Sequence, residues 1–323
     1  MTDVAIGVDV GGTKALGLIV GLDGRVLGEV QAKTPHDFGE GAGDATAKIL
    51  AQLVNELCSC QDLDPSNLPI GIGLPGLMRR DGHLAFAPNL NTASGANLGT
   101  QLGESLKSAT VYSENDANCA ALAEHEWGAA RGINDFVMVT LGTGIGGGVV
   151  ADGKLVRGRS GFAGEIGHMV VAARGAACQC GGHGCWERYA SGGGLNRLTH
   201  DAAVEGRLPT LVARAGHAGL VRAEDVTDAA AQGLGEAVMV MKEVGWWLAL
   251  GLSNLAAILD CGHFVVGGGL SSSSDLVLPW AREYLIDLVE GYAARPTITV
   301  TASMFGPHSG AMGAALMAFE RAS

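Results

Sequence analysis

With 323 residues the chain exceeds the roughly 100–200 usual for one domain, so two lobes are expected. Hydrophobic residues make up 47% and charged residues 17%, enough apolar material for sizeable cores. The formal charge of −12 argues against the broad basic face that holds nucleic acid or an anionic membrane, so an anionic substrate would be held by local dipoles and a metal.

Val4–Val10 reads as a short buried strand, followed by Gly11-Gly12-Thr13, a second apolar run over 15–20 and an Asp23-Gly24 hairpin turn. Residues 41–58 read as an amphipathic helix, and 69–74 as a buried strand ending at Pro75-Gly76. A short strand over 111–113 leads into Asn115-Asp116, and 118–128 is Ala-rich and helical. From Asp135 the opening order returns: a strand over 136–140, the turn Gly142-Thr143-Gly144, a strand over 146–150 and the hairpin Asp152-Gly153, the two Asp-Gly turns lying 129 residues apart. Helices are expected over 223–233 and 236–260, a strand over 263–266 running into Gly267-Gly268-Gly269, and a closing small-residue helix over 309–321. This alternation gives an α/β class, and the repeated order suggests a duplicated β-meander core, one per lobe.

The most apolar run, 244–259, is 16 residues long, short for a membrane span, and reads as a buried helix. The N-terminus shows no basic region and no cleavable apolar stretch, so no secretory signal is expected. Seven cysteines, an odd number, then favour reduced thiols or metal ligation over disulfides, and a cytoplasmic location.

Each glycine turn carries a hydroxyl, Thr13 in the first and Thr143 in the second. Closely spaced glycines expose backbone N–H groups and let a phosphate approach without Cβ interference. Asp9 would help hold hydrated Mg²⁺, while the Gly11, Gly12 and Thr13 backbone and Lys14 meet phosphate oxygens; a tight hairpin with a solvated lysine is the alternative. The spacing matches neither a Walker A loop nor Gly-x-Gly-x-x-Gly opening a long helix. Two such turns, one on each lobe, with Gly142, Thr143 and Gly144 in the second, imply a nucleotide in the cleft between the lobes. Gly267, Gly268 and Gly269 form a third close-approach point, beneath adenine or ribose, or an ordinary strand-to-loop transition.

Cys178, Cys180 and Cys185 place three thiols within eight residues, and His168 lies ten residues upstream of the first. Cys₃His is a tetrahedral zinc set with no position open for water, so a zinc there would be structural. His183, inside the loop, competes as fourth ligand; His168 is preferred for its neighbours. Cys58 and Cys60 lack a nearby histidine or third thiol, and Cys119 and Cys261 read as small core residues.

Asp116, at a strand-to-helix junction, could accept the proton of an attacking hydroxyl, the nucleophile being the substrate's own oxygen. Helix N-capping is the alternative for Asn115 and Asp116. Glu165 and Glu187 bracket the cysteine loop; they suit the hydroxyls of a small polyol, or are solvated charges. One ring nitrogen of His168 could ligate zinc while the other faces a hydroxyl.

In this order, Asp9-Val-Gly-Gly-Thr-Lys14, Glu114-Asn-Asp116, Thr140-Leu-Gly-Thr-Gly-Ile-Gly-Gly-Gly148, Glu165-Ile-Gly-His168 with Cys178-x-Cys-Gly-x-x-Gly-Cys-Trp-Glu187, and Val265-Val-Gly-Gly-Gly269 span nearly the whole chain. Together they resemble the ROK (repressor, open reading frame, kinase) family of sugar kinases, in particular its bacterial glucokinases. The resemblance implies a two-lobed actin-like ATPase (ribonuclease H-like) duplication with a zinc-binding loop. The small lobe would be 1–117, the large lobe 118–305, and a C-terminal helix at about 306–323 would pack back on the small lobe. It further implies ATP as donor, catalytic Mg²⁺, structural Zn²⁺, glucose as acceptor at its 6-hydroxyl and Asp116 as general base. Gly73, Asn89, Asn115, Glu165, His168 and Glu187 become sugar-side residues, and His168, Cys178, Cys180 and Cys185 zinc ligands. A homodimer or homotetramer is also implied.

Two segments depart from the family pattern: 91–97 replaces a tryptophan expected after Pro88-Asn89-Leu90, and 304–310 lacks an acidic run before the last helix. Rival acceptors are N-acetylglucosamine, N-acetylmannosamine, mannose or fructose, and a rival donor is polyphosphate. A sugar-sensing transcriptional regulator would carry a winged helix ahead of the first phosphate strand, where eight residues precede Asp9.

Overall fold

The computed structural model describes residues 3–34, 42–87, 90, 93–107, 111–269 and 274–322, with backbone only at 42 and 43. Asn89 and part of the segment 91–97 lie outside the described residues.

The chain opens with strands β1 (Val4–Val10), β2 (Lys14–Gly21) and β3 (Val26–Lys33), then helix α1 (Ala42–Ser59). Strands β4 (Ile70–Leu74), β5 (Leu77–Met78) and β6 (Leu84–Phe86) follow, then α2 (Leu98–Leu106), β7 (Val111–Asn115) and α3 (Asp116–Glu126). Next come β8 (Phe136–Leu141), β9 (Ile145–Ala151) and β10 (Lys154–Leu155). Helices α4 (Glu187–Ala190), α5 (Gly192–Val204), α6 (Pro209–Ala215), α7 (Ala223–Ala231) and α8 (Gly235–Leu259) precede β11 (His263–Gly267). The chain ends with α9 (Ser274–Leu288), β12 (Thr299–Ala302) and α10 (Ser309–Ala322).

Two five-stranded mixed sheets repeat one plan. Their orders are β3-β2-β1-β4-β7 and β10-β9-β8-β11-β12. In each, three strands consecutive in sequence lie side by side, and the first of them is followed by two further strands in parallel. The expected β-meander repeat is thus present, extended by β3 and β10. Strands β1 and β4 are buried almost throughout, as strands covered on both faces must be, whereas the edge strand β3 alternates between half-buried and exposed.

The chain forms two compact units: Met1–Asn134 with Gly148–Gly164 and Pro307–Ser323, and Asp135–Gly147 with Glu165–Gly306. The expected boundary at 117/118 therefore falls inside the first unit, because α3 packs along α10. In that unit Ile6, Val8 and Ile19 share a core with Leu50, Leu53, Val54 and Leu57 of α1, all at most 2% exposed. Each such side chain stabilises the fold by about 1.5–3 kcal/mol relative to leaving it in water. The small-residue helix α10 packs on β1 and β4 so closely that a Cβ at Gly7 or Gly71 would overlap the carbonyl of Ala311 or Ala314. In the second unit α8 packs against α9, α7, α4 and α5. No described helix is long and apolar enough to cross a membrane.

Candidate active site and cysteine–histidine cluster

In the first unit the carboxyl ends of the parallel strands β1, β4 and β7 lie in register: Asp9 pairs with Gly73, Gly73 with Glu114, and Leu74 with Asn115. Ligands of open α/β sheets bind at such strand ends. A Cβ at Gly73 would sit 3.4 Å from Asp116 Cα and 3.6 Å from Asp9 Oδ1, so this glycine adjoins both acids.

Capping of α3 falls to Asn115, whose Oδ1 accepts the Asn118 N–H at 3.0 Å while its Nδ2 donates to the Gly76 carbonyl at 3.2 Å. Asp116 is the first helical residue, its Oδ1 accepting the Ala117 N–H at 2.8 Å. The helix N-terminus favours a negative charge there. Behind this junction Glu114 is buried; its Oε1 accepts from the Asn115 N–H and Asn118 Nδ2, and its Oε2 from Arg157 Nε. The buried thiol of Cys119 is pushed well up by burial and by the carboxylates of Glu114, Asp9 and Asp116.

Asp9 lies against the start of α10: a Cβ at Gly310 would come within 2.7–3.1 Å of its carboxylate. Burial pushes this carboxyl up to about 6, opposed by the charge of Lys14. The first glycine turn is a tight hairpin, closed by Gly11 N–H donating to the Lys14 carbonyl at 2.8 Å. Thr34, not expected from sequence, fixes it by donating its hydroxyl to the Gly11 carbonyl and its N–H to the Thr13 carbonyl. Thr13 and Lys14 remain exposed, and Gly12 half-buried.

In the second unit the other glycine turn is tied to the start of α5. The Gly142 carbonyl accepts from Gly192 N–H at 2.8 Å; the Thr143 carbonyl accepts from Gly193 N–H at 3.1 Å and Ser191 Oγ at 3.0 Å. Ser191 also caps α5 by accepting the Gly194 N–H. A side chain at Gly144 would collide with Glu187 Oε2, so Gly144 and the Glu187 carboxylate occupy one another's space. Gly268 has φ +89° and lies against the backbone of Leu141, so packing of β11 on β8 already demands a glycine there; Gly269 is exposed.

Among the described residues, His168, Cys178, Cys180 and Cys185 bring one ligand atom each within 4.8 Å of one another, and His183 is not part of this set. A tetrahedral zinc with bonds of about 2.3 Å to sulfur needs sulfur–sulfur edges of roughly 3.8 Å. Here Cys180 Sγ and Cys185 Sγ are 3.6 Å apart, and Cys178 Sγ lies 3.8 Å from His168 Nδ1, so the donor set fits the ion. Cys58 and Cys60 lie outside this cluster. With Nδ1 on the thiol side, His168 Nε2 stands 3.9 Å from Glu165 Oε2, both side chains about a third exposed (34% and 33%). Burial raises the Glu165 carboxyl, as does the Glu187 charge, while His168 opposes them. The Cys178 thiol donates to Glu187 Oε1 at 3.0 Å.

Two aromatic residues anchor this loop. Trp186 is fully buried, donates Nε1 to the Trp247 carbonyl at 2.7 Å and fills the space a Cβ at Gly251 would need. Tyr189 accepts the Ala176 N–H at 2.8 Å and packs its ring 4.2 Å from that of Trp247.

The family model "ROK family" matches residues 5–321. Glucokinase of Streptomyces coelicolor is 35% identical over 326 residues, covering 98% of each chain. The N-acetylmannosamine kinase of Escherichia fergusonii is 32% identical over 329 residues, again covering 98% of each. The crystal structure of a ROK family glucokinase from Streptomyces griseus in complex with glucose and AMPPNP is 34% identical and covers 98% of this chain and 99% of that one, at a TM-score of 0.87. With a match over nearly its full length, and relatives aligned end to end, the chain belongs to the ROK family.

Proposed function

We propose that this chain is an ATP-dependent sugar kinase acting as a glucokinase, which transfers the γ-phosphoryl group of ATP to the 6-hydroxyl of glucose. What supports this is that one chain carries both an aspartate, Asp116, at the start of α3 in the first unit and, in the second, a Cys₃His cluster whose histidine turns its second nitrogen toward Glu165. Likeness to the Streptomyces glucokinases supports glucose as acceptor. The repeated sheet order supports an actin-like ATPase duplication.

Asp116 accepts the 6-hydroxyl proton as that oxygen attacks the γ-phosphorus, and the bond from phosphorus to the bridging oxygen of ADP breaks. Lys14 and the turns at Gly11–Thr13 and Gly142–Gly144 hold the phosphates, the second made rigid by its bonds to α5. Asp9 would hold Mg²⁺, which neutralises phosphate charge when bound. Gly267–Gly269 faces the adenosine. Glu165, Glu187 and His168 Nε2 bind sugar hydroxyls, and Asn115 offers a sugar oxygen its second amide N–H. His168, Cys178, Cys180 and Cys185 would hold zinc, a closed structural tether that aims His168.

The test is a substrate panel with purified protein and Mg-ATP: glucose, mannose, fructose, N-acetylglucosamine and N-acetylmannosamine, with polyphosphate as a second donor. Glucose with ATP should give the highest kcat/KM. The N-acetylmannosamine kinase relative makes an N-acetylated acceptor the second reading; a higher kcat/KM for that sugar would overturn glucose.

A further inference from the structure

Glu114 closes β7 with its side chain 7% exposed. An ionised carboxylate buried to that extent is costly unless paired. Its Oε1 accepts the Asn115 N–H at 3.0 Å and Asn118 Nδ2 at 3.1 Å, and its Oε2 accepts Arg157 Nε at 2.6 Å. The two donors to Oε1 flank Asp116 in sequence, one just before it and one two residues after. One carboxylate therefore holds both sides of the residue that begins α3.

Arg157 comes from a segment with its own anchorage. The carbonyl of the next residue, Gly158, accepts two bonds from the Arg80 guanidinium, the longer 3.0 Å. Gly161 lies so close to the Met78 carbonyl that a Cβ would overlap it. The guanidinium thus reaches Glu114 from a fixed base, and a charge-assisted bond from a planar arginine is short and directional.

We propose that Arg157 is a positioning residue for phosphoryl transfer, acting through Glu114 to hold the Asn115–Asn118 turn and with it the direction of the Asp116 carboxylate. This rests on the reading of Asp116 as general base. Loss of Arg157 leaves a buried carboxylate without its counter-charge, which then rearranges toward water and releases the Asn115 N–H and the Asn118 amide. Misplacement of a catalytic group by about 1 Å is enough to cost on the order of a hundredfold in rate. Neither Arg157 nor Glu114 need touch the sugar for this, so the loss should fall on kcat.

The experiment uses the full chain and four variants, Arg157→Met, Arg157→Lys, Glu114→Gln and the double variant Arg157→Met/Glu114→Gln, with glucose and Mg-ATP. Arg157→Met should lower kcat at least about tenfold while the glucose KM stays within about threefold, and Arg157→Lys should recover part of the loss. In the double variant the uncompensated charge is gone, so adding Arg157→Met to Glu114→Gln should change kcat by less than about threefold. Multiplicative losses in the double variant, or wild-type kcat in Arg157→Met, overturn the proposal. If Arg157→Met does not fold, comparison of the double variant with Glu114→Gln alone decides it. Asp116→Asn, run in parallel, separates the two readings. Retained turnover there removes the general base itself, whereas collapse there with normal Arg157→Met turnover removes only the role of Arg157.

Discussion

Glu187 and Gly144 fit together because the glycine has no side chain: the Glu187 Oε2 atom fills the place a Cβ would take, while Oε1 accepts the Cys178 thiol at 3.0 Å. One carboxylate thus adjoins both the cysteine cluster and the second glycine turn. Gly144→Ala should displace it. A hydrogen bond to a charged group contributes about 1.5–3 kcal/mol, so the glucose KM should rise on the order of ten- to a hundredfold. Steady-state kinetics with glucose as the varied substrate checks this, and an unchanged KM would show that Glu187 does not bind the sugar.

Asp116→Asn keeps the size of the side chain at the first position of α3 but removes the carboxylate proposed as proton acceptor. Its kcat should fall by about 10²–10⁴, with glucose affinity largely spared, because the base acts in the transition state. Calorimetric titration with glucose beside single-turnover kinetics separates the two quantities. Turnover close to wild type would place the base elsewhere.

Cys180→Ser removes one donor from a set whose atoms lie within 4.8 Å of one another. The variant should lose zinc, measured by elemental analysis, and bind glucose more weakly in the same preparation, because His168 loses the partner that aims its Nε2. Metal-free protein with full glucose affinity would separate the cluster from the sugar.

Asp9 gives a pH dependence with a definite sign. Its folded-state carboxyl is raised from 3.8 to about 6, mainly by burial. The folded chain therefore binds a proton more tightly than the unfolded chain. The associated stability is fully present below about pH 4 and is lost as pH rises through about 6. Asp9→Asn, neutral throughout, should gain thermal stability relative to wild type between about pH 4 and pH 7, in protein free of nucleotide and magnesium. A difference in Tm that stays flat, or runs the other way, would contradict burial as the cause.

Strands β1, β4, β8 and β11 were legible because each is an apolar run covered on both faces. Strand β3 leaves little trace in the sequence: Val26 and Leu27 are 42% and 48% exposed, so its residues carry little burial signal. Helix α5 opens on three glycines, which are poor helix formers, and α9 contains Pro279. At the site, the three cysteines of the cluster are legible because they crowd into one short stretch. Thr34, Arg157 and Ser191 were not, since their partners lie 23, 43 and 48 residues away and only the fold brings them together. Asn115 shows the limit from the other side: position alone leaves capping open to both Asn115 and Asp116, and the geometry assigns the cap to the Oδ1 of Asn115.

Helix α10 covers β1 and β4 at backbone distance, yet Ser309 follows Val4 by nearly the whole chain. During synthesis the face of the first sheet that α10 covers must therefore stay bare until residues 309–322 have left the ribosome. Contacts so distant in sequence are slow to form, because a long loop has to close before they can be made. The Asp9 end of β1, which lies against Gly310, is then completed only once α10 has docked.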